Sequence, residues 1–519
     1  MHFAHLFVPL ASPNVLSFGN EKKNELFFCI SLTYSYLCTV IRIFTILLTL
    51  ILTLNGQAAT KKEYPGGKVY MFRISLNDKL NSPYTLDNPT QWLSQKSIKR
   101  RERQGLQLDS TDLPVSPLYL KTIRAIKGIA VVGKSRWNNT VVIRTADTLT
   151  LKSVRQLPFV RKTELVWISP DSIEVSKVKY KVHETFNPWD SVSYEPYGHG
   201  REQIEILNGH RLHDTGLRGQ DMTIAVLDGG FLNANVIPAL KTTKIEGFRN
   251  LIWQNPKLVP SDEADNQLFK VNDHGTRVLS AMSADTPYVL VGTAPKAHYW
   301  LLACEDMTTE QPVEEDYWAM AAEVADSAGA DIINSSLGYH GYDAPHRNLK
   351  LSDLDGQTTL ISRTASMLAA KGIILVNSAG NTGMGPWKKI CVPADAHEIL
   401  TVGAINAQGD NAPFSAVGPS QDGRIKPDVT AMGSPAALIA GSGAVVRDMG
   451  TSFSAPIVCG LVACLWQAFP NKSAIDIINL VRKSADNNHA PDNVYGYGKP
   501  DFWKAYMIGK LEEGENNEE

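Results

Sequence analysis

The sequence predicts an α/β protein in which a doubly wound, mostly parallel sheet is covered by helices on both faces and preceded by a small α+β domain. Between residues 200 and 510, short unbroken apolar segments alternate with amphipathic ones, as in a parallel sheet buried between two helical layers. Residues 60–178 differ in character and read as a shorter run of strands and helices. The length of 519 residues also favours two or three domains.

The composition is that of a folded globular protein. Hydrophobic residues make up 43% of the chain, charged residues 20%, and the formal net charge is −2. A protein that binds nucleic acid needs a basic domain or stripe, so we expect no nucleic-acid partner. The cysteines that follow the first 59 residues are scattered and form no CxxC pair, so we expect buried free thiols and no zinc site.

Residues 1–59 are predicted to be a leader that ends in a signal peptide. Residues 27–54 are almost wholly apolar, are interrupted by Arg42, and are followed by small residues that fit cleavage near Ala58 or Ala59. This pattern predicts a secreted, periplasmic or extracellular protein. The same apolar run could span a bilayer, which takes about 20 residues, so a membrane-anchored protein is the alternative if the leader is retained.

Residues 60–178 are predicted to form the small α+β domain, with no cluster of catalytic side chains. Strands are expected at 68–75, 129–132, 140–143 and 160–167, and helices at 91–104, 118–126 and 149–157. The first helix is strongly basic, with Lys96, Lys99, Arg100, Arg101 and Arg103. A processing site or a nucleic-acid patch would explain this charge, but a solvated helix face is favoured. Residues 179–199 are polar and are predicted to be a linker.

Residues 200–510 are predicted to form the main α/β domain. Strands are expected at 222–227, 299–303, 331–334, 373–376 and 399–404, and helices at 274–284, 314–328, 358–370 and 452–468. Ligands of such folds bind at the carboxyl ends of the strands. The last residues, 511–519, are acidic and are predicted to be a disordered tail.

Two candidate catalytic residues lie where strands and helices of this domain meet loops. Asp228 directly follows a strand and is flanked by glycines that let other backbone approach, although Asp-Gly is also an ordinary turn. His274 stands where a loop enters a helix, and an imidazole has a suitable pKa for proton transfer.

Two further candidates could supply a nucleophile and an oxyanion donor. Ser452 begins an apolar helix, where the helix dipole and free N–H groups favour negative charge, although it could instead be an N-cap. Asn381 follows a strand and could donate its amide to an oxyanion, or could be a turn asparagine. Together with Asp228 and His274 they offer a nucleophile, a base, an orienting acid and an oxyanion donor, in a known chain order for acyl transfer.

These motifs resemble the subtilase family of serine endopeptidases over most of residues 200–505. The serine segment 450–456 (GTSFSAP), the histidine segment 274–278 (HGTRV) and the asparagine segment 379–381 (AGN) carry the resemblance. The family commonly has Ser or Thr after the aspartate, and this chain has Gly229. Residues 68–170 resemble, more weakly, the inhibitory propeptide of such enzymes.

The resemblance implies a secreted serine endopeptidase, made as a self-inhibited proenzyme, with Asp228, His274 and Ser452 as its triad and Asn381 in its oxyanion hole. It also implies that Ser336, Leu337 and Gly338 pair with an extended protein or peptide substrate, and that the propeptide is a partner of its own enzyme. No cofactor is implied to be required. Structural calcium is common in the family, and no ligands can be assigned from the sequence.

Other functions are weaker alternatives. A catalytically inactive binding module with the same fold is possible, but no member of the triad is missing. An esterase of the α/β-hydrolase class needs a GxSxG elbow and the order Ser, Asp, His. Relatives that use a Ser-Glu-Asp set lack the intact histidine motif found here, and a zinc peptidase of the HExxH type needs a motif that does not occur in the sequence.

Overall fold

The structure is a computed structural model that describes residues 60–175, 193–253, 255 and 261–516. The predicted leader and most of the predicted linker lie outside these residues. Of a first compact unit, residues 1–62 and 174–178, the structure describes residues 60–62 and 174–175, which belong to strands β1 (Thr60–Glu63) and β6 (Ser172–Val175). A second compact unit, residues 63–173 and 179–519, contains the remaining elements.

The other described strands are β2 (Tyr70–Leu76), β3 (Ala130–Ser135), β4 (Thr140–Thr145), β5 (Val160–Ile168), β7 (Thr223–Asp228), β8 (Lys244–Asn250), β9 (Asp285–Thr286), β10 (Leu290–Val291), β11 (His298–Ala303), β12 (Ile332–Ser335), β13 (Ile374–Ser378), β14 (Leu400–Ile405), β15 (Val429–Met432), β16 (Ala436–Ile439) and β17 (Val445–Asp448). The described α-helices are α1 (Gln95–Arg103), α2 (Pro117–Arg124), α3 (Leu151–Arg155), α4 (Arg201–Glu205), α5 (Gly209–Asp214), α6 (His274–Ser283), α7 (Val313–Ala328), α8 (Leu360–Ala365), α9 (Thr451–Ala468), α10 (Ala474–Ser484) and α11 (Phe502–Asn516).

The small α+β domain is an antiparallel sheet in the order β3–β4–β2–β5. Helices α2 and α3 cover one face, where Ile74, Ile123 and Val154 are fully buried. The other face packs against α7 of the larger domain, and Met71 lies in one apolar cluster with Tyr317 of that helix. The strands predicted from the sequence are therefore present, and their second face is buried by the neighbouring domain.

The large domain is built on a seven-stranded sheet in the order β15–β14–β13–β12–β7–β11–β8, in which all neighbouring strands are parallel. Successive residues of β7 enter opposite cores: Ile224 and Val226 pack with α6, α9, α10 and α11, whereas Ala225 and Leu227 pack with α7 and α8. Burial on both faces explains why these strands are unbroken apolar segments in the sequence. The doubly wound fold is confirmed.

Helix α9 is the central helix of one layer. Among the described residues it is the one long and apolar enough to cross a membrane, but 89% of it is buried inside the protein, as expected for a core helix. Two of its thiols, Cys459 and Cys464, are buried and free, as are Cys304 and Cys391. The expectation of buried free cysteines is confirmed for these four.

Two predicted elements differ in extent. The helix predicted at 358–370 is shorter: α8 ends at Ala365, and a separate 3₁₀ turn (Ala369–Lys371) stops at Gly372, whose φ of 79° ends helical geometry. The prediction of a disordered tail is wrong for residues 511–516, because α11 continues to Asn516. Glu512 holds this last part through ion pairs with Lys472 at 2.8 Å and Lys483 at 2.9 Å.

The prediction that the basic helix α1 presents a solvated face holds for Lys96, Lys99 and Arg103, which are exposed, but is wrong for Arg100 and Arg101. Arg100 and Arg101 are only 2% and 3% exposed, because α1 packs against the end of α7. Both guanidinium groups bind Asp326, at 2.5 and 2.8 Å, and Arg136 of the small domain binds the same carboxylate. The charge of Arg100 and Arg101 is therefore buried as ion pairs between the two domains, which a local sequence pattern does not reveal.

Candidate active site

The predicted site residues meet at the carboxyl edge of the parallel sheet. Asp228 ends β7, Ser336 follows β12, and Asn381 follows β13, so neighbouring strands deliver them to one edge. Helices α6 and α9 begin at this edge and bring His274 and Ser452. A cleft of about 460 Å³ is lined by these groups, except the fully buried Asp228.

Asp228 and His274 form a close pair. The imidazole Nδ1 lies 2.9 Å from each carboxylate oxygen of Asp228, whose side chain is completely buried. The start of α6 must approach the end of β7 closely for this contact, and Gly275 permits it: its N–H donates to Gly230 O at 3.0 Å, and a Cβ at residue 275 would lie 2.4 Å from that oxygen. The geometry leaves Nε2 of His274 as the nitrogen that can act on a substrate.

The glycine after Asp228 supports the carboxylate through its backbone. The N–H of Gly229 donates to Asp228 Oδ1 at 2.8 Å, which is a hydrogen bond that needs no side chain at residue 229. A Cβ at this residue would lie 2.7 Å from Met307 Sδ and 3.0 Å from Glu305 Oε2. The missing Ser or Thr hydroxyl therefore leaves space that the Glu305 carboxylate and Met307 occupy.

Ser452 lies in the first turn of α9, whose N-cap is Gly450, so its hydroxyl is not needed to cap the helix. Its Oγ donates to Ser336 O at 3.3 Å, and its own carbonyl accepts a hydrogen bond from Ser336 Oγ at 2.7 Å. The side chain is 8% exposed and opens to the cleft that His274 also lines. The hydroxyl is directed to Ser336. Catalytic hydrogen bonds commonly tighten when substrate binds.

Asn381 is oriented by Thr451, a residue that sequence reasoning missed. The Thr451 N–H and hydroxyl both donate to Asn381 Oδ1, each at 3.0 Å. With Oδ1 engaged in this way, Nδ2 is the free donor that can face an oxyanion beside Ser452. The segment Gly450-Thr451-Ser452 draws attention to the serine. The hydrogen bonds of Thr451 connect it to a residue 70 positions earlier in the chain, so no local sequence pattern predicts them.

Ser336, Leu337 and Gly338 line the cleft. Leu337 is 3% exposed, and Gly338 approaches Cys391, whose Cβ would be 2.9 Å from a Cβ at residue 338. The backbone N–H and C=O of Gly338 form no hydrogen bond with the described residues. Free backbone groups at the edge of a cleft are suited to pair with an extended peptide.

The charges of the site shift its pKa values. Burial acts to lower the pKa of His274, but the charge and hydrogen bond of Asp228 outweigh burial, and Glu305 adds to this effect, so that the pKa rises to about 9. Burial raises the pKa of Glu305 to about 8, with the charge of Asp228 as a further cause. Burial also raises the pKa of the Cys391 thiol to about 12, which makes it a poor nucleophile in the same cleft.

The donor set does not suggest a metal centre. Within the described ranges, no group of three or more His, Cys, Asp or Glu side chains is arranged to hold a metal ion. We therefore assign no calcium ligand. The arrangement instead provides a hydroxyl, an imidazole with a buried acid behind it, and an amide donor, which together can perform acyl transfer.

The chain matches known families in two places. Residues 219–498 match the subtilase family, peptidase S8, and residues 71–182 match the peptidase S8 propeptide domain of Bacteroidota.

Individual relatives agree with these matches. Subtilisin DY of Bacillus licheniformis is 26% identical over 306 residues, which cover 59% of this chain and 95% of the relative. A thermostable alkaline protease of Halalkalibacterium halodurans is 26% identical over 296 residues, covering 57% and 70%. The fold is similar to that of the epidermin leader peptide processing serine protease of Staphylococcus aureus, with a TM-score of 0.56 and 16% identity over 85% of this chain and 99% of that one.

Proposed function

Since this chain belongs to the subtilase family and is a serine-type endopeptidase with a propeptide domain, we propose that Ser452, His274 and Asp228 are its catalytic triad. Ser452 Oγ attacks the carbonyl carbon of the scissile peptide bond while His274 Nε2 accepts its proton. The same nitrogen then protonates the leaving amine, so that an acyl-enzyme forms, and a water molecule activated by His274 hydrolyses it.

The observation that carries this proposal is the contact between His274 Nδ1 and the buried carboxylate of Asp228 at 2.9 Å, in the cleft that also contains Ser452. A buried carboxylate fixes the imidazole tautomer and stabilises the imidazolium that forms during the reaction. The raised pKa of His274 expresses the same stabilisation.

We assign the oxyanion hole to Asn381 Nδ2 and the backbone N–H of Ser452. Thr451 supports this assignment, because its two hydrogen bonds to Asn381 Oδ1 leave the amide nitrogen as the free donor. The proposed substrate is a protein or peptide in extended conformation, which pairs with the free backbone groups of Gly338.

The proposal includes synthesis as a self-inhibited proenzyme that is exported by its leader. Buried ion pairs join the small domain to α7, with Arg73 on Asp316 at 2.7 Å and three arginines on Asp326. Such an interface suits an inhibitor that stays bound after its peptide bond to the enzyme is cut. The signal peptide and its alternative, a retained membrane anchor, rest on residues 1–59 alone.

The test is to express residues 60–519 and treat them with a fluorophosphonate probe, beside the variant Ser452→Ala. We expect a label on Ser452 in the wild type, no label in the variant, and loss of the N-terminal ~110 residues in the wild type alone, followed by mass spectrometry. Absence of labelling, even after limited proteolysis of the small domain, would contradict the proposal and favour an inactive binding module.

A further inference from the structure

Glu305 is an acidic residue of the cleft that the triad does not use. It lies two residues beyond β11, the strand next to β7, and its side chain lines the cleft together with His274 and Ser452. Its carboxylate forms no hydrogen bond and no ion pair with any residue of the described part of the chain. Glu305 is half-buried at the cleft surface, and a carboxylate there without a protein partner is available to a ligand of opposite charge.

The space for this carboxylate is created by the glycine after Asp228. Any side chain at residue 229 would start 3.0 Å from Glu305 Oε2 and 2.7 Å from Met307 Sδ, so a larger residue would displace one of them. Met307 itself is 56% exposed and also lines the cleft. The carboxylate is therefore held at the wall of the cleft and not buried beneath it.

The surroundings of Glu305 are negative. Burial and then the charges of Asp228, Glu310 and Asp306 raise its pKa to about 8, while His274 acts in the opposite direction. His274 already serves Asp228 through its Nδ1 hydrogen bonds. A positive charge brought by a ligand would complete this site, and a negative one would be repelled.

The order of the strands places Glu305 relative to a bound peptide. At the carboxyl edge the sequence of groups is Asn381 after β13, Ser336 after β12, Asp228 on β7, and Glu305 after β11. A peptide that pairs with Gly338 has side chains that alternate between two sides. If the side chain of the residue that is attacked faces Asn381, the side chain of the preceding residue faces His274 and Glu305.

We propose that Glu305 is a specificity-determining residue that selects lysine or arginine at the substrate position immediately before the residue whose carbonyl is attacked. This inference rests on the proposed function and names the substrate class of the same cleft. Neighbouring strands lie about 4.8 Å apart. Glu305 follows β11, which is two strands away from β12, the strand that leads to Gly338. Its distance from the line of β12 is therefore about 10 Å. A long basic side chain can cross this distance along the His274 ring, whereas a short one cannot.

The test uses peptidyl-coumarin substrates, in which cleavage before the coumarin defines the attacked residue. The preceding residue is lysine, arginine, norleucine or glutamate, and the more distant positions are randomised. For the wild type we expect kcat/KM for lysine to exceed that for norleucine, a neutral residue of similar length, by roughly 10- to 100-fold, the range for a hydrogen bond to a charged group. Glutamate should be the poorest of the four.

Two variants separate the contact from the general charge of the region. Glu305→Gln keeps the shape of the side chain, and we expect the lysine-to-norleucine ratio to fall to near one. Glu310→Gln removes one negative charge from the same loop, but its side chain does not line the cleft, so we expect it to keep the ratio. Fluorophosphonate labelling and thermal unfolding of both variants confirm that each is folded with a reactive Ser452.

The outcomes are distinguishable. Equal rates for lysine and norleucine in the wild type, or a ratio that survives in Glu305→Gln, would overturn the inference while leaving the proposed peptidase intact. If Glu310→Gln lowers the lysine-to-norleucine ratio as much as Glu305→Gln does, the preference comes from the general negative charge of the region, and the assignment to Glu305 is wrong. A wild type that is labelled by no probe and cleaves no peptide would overturn the proposed function, and this inference with it.

Discussion

The substitution Asp326→Asn should loosen the small domain from the large one. Asp326 is fully buried and accepts hydrogen bonds from Arg100, Arg101 and Arg136. These three charges hold the pKa of Asp326 at about 2 although burial alone would raise it. The asparagine keeps the size of the side chain and one acceptor oxygen but removes the negative charge that the arginines share.

The magnitude follows from what each arginine retains. Arg101 keeps an ion pair with Asp112 at 3.2 Å, whereas Arg100 keeps only uncharged partners, including the carbonyls of Ala330 and Lys371. Arg136 likewise has no other ion pair among the described residues, so two buried guanidinium groups, those of Arg100 and Arg136, are left without a paired carboxylate. Breaking a buried pair from one side costs about 3–5 kcal/mol. Because the asparagine oxygen can still accept a hydrogen bond, we expect about 3 kcal/mol, or roughly a 150-fold change in the docking equilibrium.

The assay is native-state hydrogen exchange on the full chain with Ser452→Ala, which prevents processing. We expect the free energy of opening for amides of α1 to fall by about 3 kcal/mol in Asp326→Asn, with the β13 amides unchanged. The control is Glu513→Gln, which breaks an ion pair with Lys510 whose side chains are 46% and 38% exposed, and which should cost no more than about 0.5 kcal/mol. If Asp326→Asn changes the free energy of opening for α1 by no more than the Glu513→Gln control does, Asp326 is not the charge that anchors the domain.

Three further predictions concern catalysis and pH. Asn381→Ala should lower kcat by roughly 10²–10³-fold, the factor known for the oxyanion asparagine of subtilisin itself, with little change in KM, and an unchanged kcat would remove Asn381 from this role. Asp228, and to a smaller extent Glu305, raise the pKa of His274 to about 9 against the effect of burial. Glu305→Gln should therefore shift the acid limb of kcat/KM for a norleucine substrate to lower pH, and a shift to higher pH would contradict the electrostatic argument. The pKa of Asp326 is lowered to about 2, so its contribution to docking is complete above about pH 4 and is lost only as the pH falls towards 2. Gel filtration of the processed complex should therefore show the small domain bound equally at pH 7 and pH 5. Release at pH 5 would point to another acid-sensitive contact.

The strands of the large domain could be predicted because burial on both faces makes them unbroken apolar runs. The sequence analysis predicts five of the seven and misses β8 and β15. β8 is an edge strand whose residues are mostly half-buried or exposed, so it lacks the apolar run. The ends of helices were less predictable, since α11 is held to its last turns by Lys472 and Lys483, which are distant in sequence from Glu512.

The sequence predicted those site residues that belong to short, recognisable sequence motifs. The segments around His274 and Ser452 combine a reactive side chain with glycine and a helix start, and the structure brings both to one cleft with Asn381. Glu305 has no such motif. Its position depends on the pairing of β11 with β7 and on the absent side chain of Gly229, which are relations between segments about 75 residues apart.

Docking of the small domain and catalysis should be separable, although both depend on α7. Near its first turns this helix supports the cleft, since Trp318 Nε1 donates to Ser335 Oγ at 3.0 Å, immediately before Ser336. Near its last turn the same helix carries Asp326, which faces the arginines of the small domain. Eight residues separate these positions, about 12 Å along a helix that rises about 1.5 Å per residue. Substitutions more than 7–10 Å apart with no shared partner usually add in their effects. Asp326→Asn should therefore release the small domain without altering kcat/KM of the processed enzyme, whereas Trp318→Phe, which removes the hydrogen bond to Ser335, should change kcat/KM and leave the exchange protection of α1 intact.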